Sequence, residues 1–160
     1  MADSVHESIL EKVVSEIEGL SLEDMAPNNV LVTDVPVGEG VYYSGYPAIC
    51  VSPIGNEQIV PSEGNNKQDA IGYPVLISIV DGANKRQQAV SRDRRLLYRQ
   101  QIIDHFIENN QVSWGVSGVD EANIHIETGS IIDPAAWFDQ NLNLSTIVLR
   151  CKVLKTRRVS

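Results

Sequence analysis

The run Tyr73-Pro-Val-Leu-Ile-Ser-Ile-Val constrains this chain more than any other segment. It is β-branched and apolar at successive positions, so a strand built from it must be buried on both faces. Such a strand sits in the middle of a sheet, and Asp81-Gly82 ends it. Neighbours are present. Val30-Leu31-Val32 and Ala48-Ile49-Cys50-Val51 are short strand-like pieces, the second closed by Pro53. Ile124 and Ile126 alternate with Asn123, His125 and Glu127, which predicts a strand with one wet face. In the last strand Ile147, Leu149, Cys151 and Val153 point one way, while Val148, Arg150 and Lys152 point the other.

Two helices cover that sheet. Val5, Ile9, Leu10, Val13, Val14, Ile17 and Leu20 share one helical face, with Glu7, Glu11, Ser15 and Glu18 opposite. Asp3 or Ser4 can cap its start, and Gly19 with Ser21 loosens its end. A second helix is expected from about Ala89 to Glu108, with Leu96, Ile102, Ile103, Phe106 and Ile107 on one side and Asn109-Asn110 as its stop. This order predicts an α+β fold: one domain over residues 1–160, a mostly antiparallel or mixed sheet, and two main helices packed against it. Residues 53–72 depart from the plan as a long polar loop, either a projecting hairpin or a disordered segment, whose apolar pair Ile59-Val60 needs something to pack on.

Charge narrows the function. A hydrophobic content of 42% is ordinary for a globular protein, and a net charge of −8 argues against a general nucleic-acid binder. The charge is also split by position. Residues 1–69 carry twelve acidic side chains against Lys12 and Lys67, a net of −10, whereas residues 70–160 carry nine acidic and eleven basic, a net of +2. Such a division suits copies that meet head to tail, and an acidic surface repels phosphates so that a duplex slides past. The start of the chain has no basic region followed by an apolar stretch, and the apolar runs are far too short for a membrane span. The expectation is a protein made in a cytosol, or in something assembled there, with no membrane partner.

No reaction announces itself. His6, His105 and His125 lack metal-ligand spacing and no Cys-x-x-Cys occurs, so neither a metal site nor a cofactor is expected. His105 reads as an exposed helix residue, His125 lies on a wet strand face, and His6 is near a flexible terminus. Cys50 and Cys151 sit in apolar alternating runs and read as two buried free thiols; a disulfide would need their strands to be neighbours. Gly38, Gly40 and Gly45 make no phosphate loop, because no Gly-Lys-Ser/Thr follows and Glu39 repels phosphate. Asp120-Glu121 and Asp133 with Asp139 are the paired carboxylates that surface loops carry routinely. No catalytic residue is assigned, and an enzyme is not expected.

The informative constellation is Arg92, Arg95 and Arg99, at i, i+3 and i+7 on the second helix, continuing the stripe of Leu96, Ile103 and Phe106. Charges do not normally lie on a core-facing stripe, and near a helix N-terminus they oppose the macrodipole. Either these turns project beyond the core or an acidic partner, such as a neighbouring copy, meets them. The alternative is that the stems lie over the sheet edge with their heads in water. Glu57, Ile59, Val60, Glu63 and Asp69 of the loop, with Arg157 and Arg158 of a basic tail at about 155–160, complete the candidate interface. The tail could bind DNA or dock on an acidic neighbour.

Three segments carry a resemblance: the amphipathic opening Val5–Leu20, the strand at Tyr73 leading into the helix Arg92–Glu108, and the turn Asp133-Pro-Ala-Ala-Trp-Phe-Asp before Leu144-Ser-Thr-Ile-Val-Leu-Arg-Cys. In this layout the chain resembles the tail terminator and neck proteins of long-tailed bacteriophages. The resemblance implies a virion protein, assembled in the host cytoplasm, that forms a six-fold ring. The ring would cap the tail tube protein, receive the head-side connector and let DNA pass through its lumen without specific binding. The family brings no catalytic residues, and residues 53–72 depart from its simplest layout as a possible arm to a neighbouring ring. A head-closure or other tail-completion protein is the nearest alternative. A metal-dependent hydrolase or a monomeric cytosolic binding module are further ones.

Overall fold

A computed structural model describes residues 4–26, 28–34, 45–59, 68–82, 88–110, 121–135 and 142–156. Among them are two helices, α1 (Val5–Glu18) and α2 (Gln88–Glu108), and six strands. The strands are β1 (Val30–Val32), β2 (Ala48–Pro53), β3 (Gln58–Ile59), β4 (Gln68–Gly82), β5 (Glu121–Thr128) and β6 (Leu142–Thr156). They form one mixed sheet in the order β1-β2-β4-β6-β5, with β3 on β4 beyond the end of β2. Only β1 and β2 run parallel. The chain has the expected α+β fold.

The centre of the sheet is the antiparallel pair β4 and β6, in register from Gln68 opposite Thr156 to Gly82 opposite Leu142. Tyr73, Val75, Ile77 and Ile79 of β4 share one face with Ile147, Leu149, Cys151 and Val153 of β6. Ile9, Leu10, Val13 and Ile17 of α1 and Tyr98, Ile102 and Phe106 of α2 bury against that face. Both helices therefore lie on one side, α1 over β1 and β2, α2 over β4, β6 and β5. On the opposite face Ala48, Cys50, Val80, Leu142 and Leu144 form a smaller buried cluster with Leu31. Two apolar faces on β4 are what the run beginning at Tyr73 demanded.

Local signals set the element ends. The Ser4 hydroxyl accepts from the Glu7 amide at 3.0 Å and caps α1, while Gly19 closes it in an ordinary right-handed conformation. Asn29 ties β1 to β2: its carbonyl accepts from the Ile49 amide at 2.8 Å and its side-chain amide donates to the Pro47 carbonyl at 3.1 Å. Cys50 lies opposite Ser78 and Cys151 opposite Tyr73. With β4 between their strands, both cysteines are buried free thiols.

Four expectations change. The expected loop at 53–72 shortens, because β4 begins at Gln68 and β3 pairs Gln58 with Gly72 and Ile59 with Ile71. Residues 155–156 of the expected tail likewise belong to β6, opposite residues 69 and 68. Backbone pairing needs no apolar side chain, so a polar sequence concealed these strand ends. His6 is held in the first turn of α1, where its Nε2–H donates to the Pro74 carbonyl at 2.9 Å and its ring lies against Tyr73. His105 is half-buried, and its Nε2–H donates to Glu16 Oε2 at 2.8 Å, joining α2 to α1.

Replacing Ile77, fully buried between Val51 and Ile147 on their strands, tests this core. Ile77→Ala should lower the unfolding free energy by about 2–5 kcal/mol in a urea titration. Ile59→Ala, at an exposed site, should change it by no more than about 0.5 kcal/mol.

Candidate functional site

The arginines of α2 lie over the place where the helix-facing side of the sheet turns polar. Beyond Ile79 that face continues in β4 with Asp81, and beyond Ile147 it continues in β6 with Ser145 and Asn143. The N-terminal half of α2 supplies matching groups. Asn143 Nδ2 donates to Ser91 Oγ at 3.0 Å and to the Gly82 carbonyl at 3.2 Å. Arg94 donates from Nε at 3.1 Å and from Nη2 at 2.7 Å to Asp81 Oδ2, and its Nη1 lies 3.8 Å from Asp24. Burial lowers the Arg94 pKa, but the hydrogen-bonded charge of Asp81 outweighs it and leaves the guanidinium above its ordinary value.

Arg99 is the most heavily bound of these side chains. Its Nη1 donates to the Thr146 carbonyl at 2.6 Å, to Ser145 Oγ at 3.0 Å and to the Ser130 carbonyl at 3.3 Å. Its Nη2 donates to the Gly129 carbonyl at 3.1 Å. The planar fork thus gathers the residues just after β5 and the first third of β6. Thr146 closes the same knot, its amide donating to the Ser130 carbonyl and its hydroxyl accepting from the Ser130 amide. A side chain at 129 would not fit there: a Cβ on Gly129 would stand 2.4 Å from the Thr146 carbonyl oxygen.

The arginine stripe is therefore not one surface. Arg99 is 8% exposed and Arg95 4%, both within the chain itself, so neither projects beyond the core nor keeps its head in water. Arg95 Nε and Nη1 are buried without a hydrogen-bond partner, and burial pulls its pKa down. Arg92 alone of the three is exposed, 3.7 Å from Asp93. The apolar side of α2 is as expected at Ile102 and Phe106, with Ile103 packed against the core, but Leu96 and Ile107 are exposed and Tyr98 takes a core position. Polar matching at the strand ends let arginines take core-facing positions that apolar residues usually hold.

The remaining candidates separate. Glu57 and Ile59 are exposed beside β4, and Gln58 between them accepts from Arg150 Nη1. Arg150 also donates to Glu127 Oε1 at 3.0 Å. Asp69 stands opposite Lys155 in the register. Val60, Glu63, Arg157 and Arg158 lie outside the described residues. So do the aromatics of the turn at Asp133, where Asp133 Oδ1 accepts from the Ala135 amide at 3.0 Å. Sequence reasoning passed over Arg94 and Asp81, treating Asp81 only as a strand stop. The signal was an aspartate ending a buried strand just before an arginine-rich helix.

Among the described residues no cluster of three or more His, Cys, Asp or Glu is placed to hold a metal ion, and no helix is long and apolar enough to cross a membrane. Burial pushes the thiol pKa of Cys50 up to about 11, a hydrogen bond with Thr33 offsetting part of the effect, and that of Cys151 up to about 12. Neither is a nucleophile near neutral pH. The chain matches no protein-family profile and no curated protein sequence.

Arg99→Met should cost about 3 kcal/mol or more of stability by leaving buried carbonyls unpaired, and Arg99→Lys should recover less than half, since an ammonium lacks the fork. Chemical denaturation of both variants checks this. The raised thiols also fix a pH dependence. Unfolded thiols ionise from about pH 8.5 while the folded ones stay neutral. Stability should be level from pH 7 to 8 and fall as the pH climbs toward 11 and 12, with a shallower fall in Cys151→Val.

Proposed function

We propose that this chain is a structural subunit of the neck of a long-tailed bacteriophage. In this reading it forms a ring of the tail-terminator kind that caps the tail tube, receives the head-side connector and passes DNA through its lumen. The observation that carries the reading is the fate of the two charge classes. Glu7, Glu11 and Glu18 line one exposed ridge of α1, and exposed Glu23, Asp24 and Asp34 follow it in the chain. Arg94, Arg95, Arg99 and Arg150 instead turn into their own fold. Among the described residues the exposed charge is therefore mostly acidic, which suits a passage for DNA because it repels phosphates rather than holding them.

The element order supports the same reading. An amphipathic helix, a long central strand, a second helix and a final long strand occur in the sequence expected of the family. A ring also requires each copy to present two different surfaces, and the sheet ends in two different edge strands, β1 and β5. Exposed Glu57 and Ile59, next to the β3–β4 pairing, suit an arm that reaches an adjacent ring.

Light scattering and electron microscopy of the purified chain, alone and with tail tubes, test the proposal. The expected result is a ring of about six copies, or a ring capping the tube end, that does not retain duplex DNA at moderate salt. A strict monomer at every concentration that also ignores tube ends contradicts it.

A further inference from the structure

Two features lie at opposite edges of the sheet and match each other. At the β5 edge, α2 exposes Leu96 and Ile107 with half-buried Ile103 between them along the same flank. Leu96 and Ile103 stand one turn either side of Arg99, whose bonds to the Gly129 and Ser130 carbonyls hold the following loop against this side of the helix. The next two residues, Ile131 and Ile132, are 56% and 41% exposed. Leu96, Ile103 and Ile107 thus line one flank of α2, exposed Ile131 and Ile132 follow the loop that Arg99 ties to it, and exposed Arg92 lies one turn from Leu96. A cluster of this kind is unusual on a monomer's surface.

The β1 edge carries a cavity. It has a volume of about 330 Å³, and its mixed lining joins Ile17, Leu22, Met25, Ala26 and Val30 to Glu18, Ser21 and Asn28. The segment that shapes it turns back through positive φ at Ser21, Asp24 and Asn28. Glu18 is exposed in the last turn of α1, which has no basic residue, so its charge opposes the negative end of the helix dipole. Arg92, near the start of α2, opposes its own dipole in the reverse sense. Arg92 has exposed Asp93 3.7 Å away, a loose pair on the same helix, and facing Glu18 across a contact would give each charge an opposite partner from another copy.

We propose that copies of this chain associate head to tail, the Leu96–Ile107–Ile131 flank of one seating in the α1–β1 cavity of the next, with Arg92 facing Glu18. The inference deepens the ring reading and rests on it. Because the two surfaces differ and lie at opposite sheet edges, each copy engages one neighbour on either side, the heterologous arrangement that makes a ring where the rotation between copies closes.

The test uses two variants of the whole chain at exposed positions. Leu96→Asp with Ile131→Asp spoils the flank, and Ala26→Trp fills the cavity. Circular dichroism and cooperative unfolding should match the parent. In analytical ultracentrifugation each should self-associate about tenfold more weakly or worse. Mixed together they should form a dimer that grows no further, one intact flank meeting one intact cavity. Glu18→Arg and Arg92→Glu should each weaken association, and the two combined in one chain should restore it. If both variants assemble like the parent, the flank and cavity are not the contact, while a ring formed by the parent leaves the ring reading standing. Two monomeric variants that stay monomeric when mixed overturn the head-to-tail pairing. A parent chain that is monomeric alone and at tube ends overturns the ring reading and this contact together.

Discussion

Everything in this fold hangs on the ladder between β4 and β6. Fifteen residues of each pair without interruption. One edge of that pair carries β2 and β3, the other carries β5, and one face carries both helices. Removing the ladder would leave only short strands with no common face. Its length exceeds that of an ordinary strand, so its two ends need not share one chemistry with its middle.

That difference along the ladder accounts for the arginines. From Ile71 to Ile79 the helix-facing side is apolar and meets the apolar residues of α2. Beyond it stand Asp81, Asn143 and Ser145, and there α2 answers with Ser91, Arg94 and Arg99. A buried guanidinium is tolerable only where its donors are taken up, and Arg99 finds one hydroxyl and three carbonyls. Arg95 finds no hydrogen bond for two of its nitrogens, with the Asp81 charge as its compensation. Among the described residues Arg94, Arg95, Arg99 and Arg150 are thus engaged in internal ties, while Glu7, Glu11, Glu18, Glu23 and Asp34 stay exposed.

Much of this was legible in the residues. The Tyr73 run dictated a central strand, and the alternation in β5 and β6 assigned faces correctly down to the wet positions of Asn123 and His125. The helical spacing of Ile9, Val13 and Ile17 placed α1, and apolar settings marked Cys50 and Cys151 as buried thiols. Polar segments were harder to read. Gln68, Asp69, Lys155 and Thr156 carry no apolar pattern, yet the backbone pairs through them. For α2, the polar partners of its arginines lie far off in the chain, so a helical wheel alone could not separate Arg99 from Arg92. The apolar flank escaped notice for the same reason: Leu96 and Ile107 looked like core until the face turned toward Tyr98.

Amide hydrogen exchange, followed in the dilute chain and again in its assembled form, tests most directly which surfaces join one copy to the next. Head-to-tail contact predicts slowed exchange on assembly in two separate segments, Gly129–Asp133 beside the flank and Ser21–Ala26 around the cavity. The exposed acidic ridge of α1 at Glu7 and Glu11 should be unchanged. Protection confined to the Glu7–Glu11 part of the ridge, or to residues 54–59, would contradict the account.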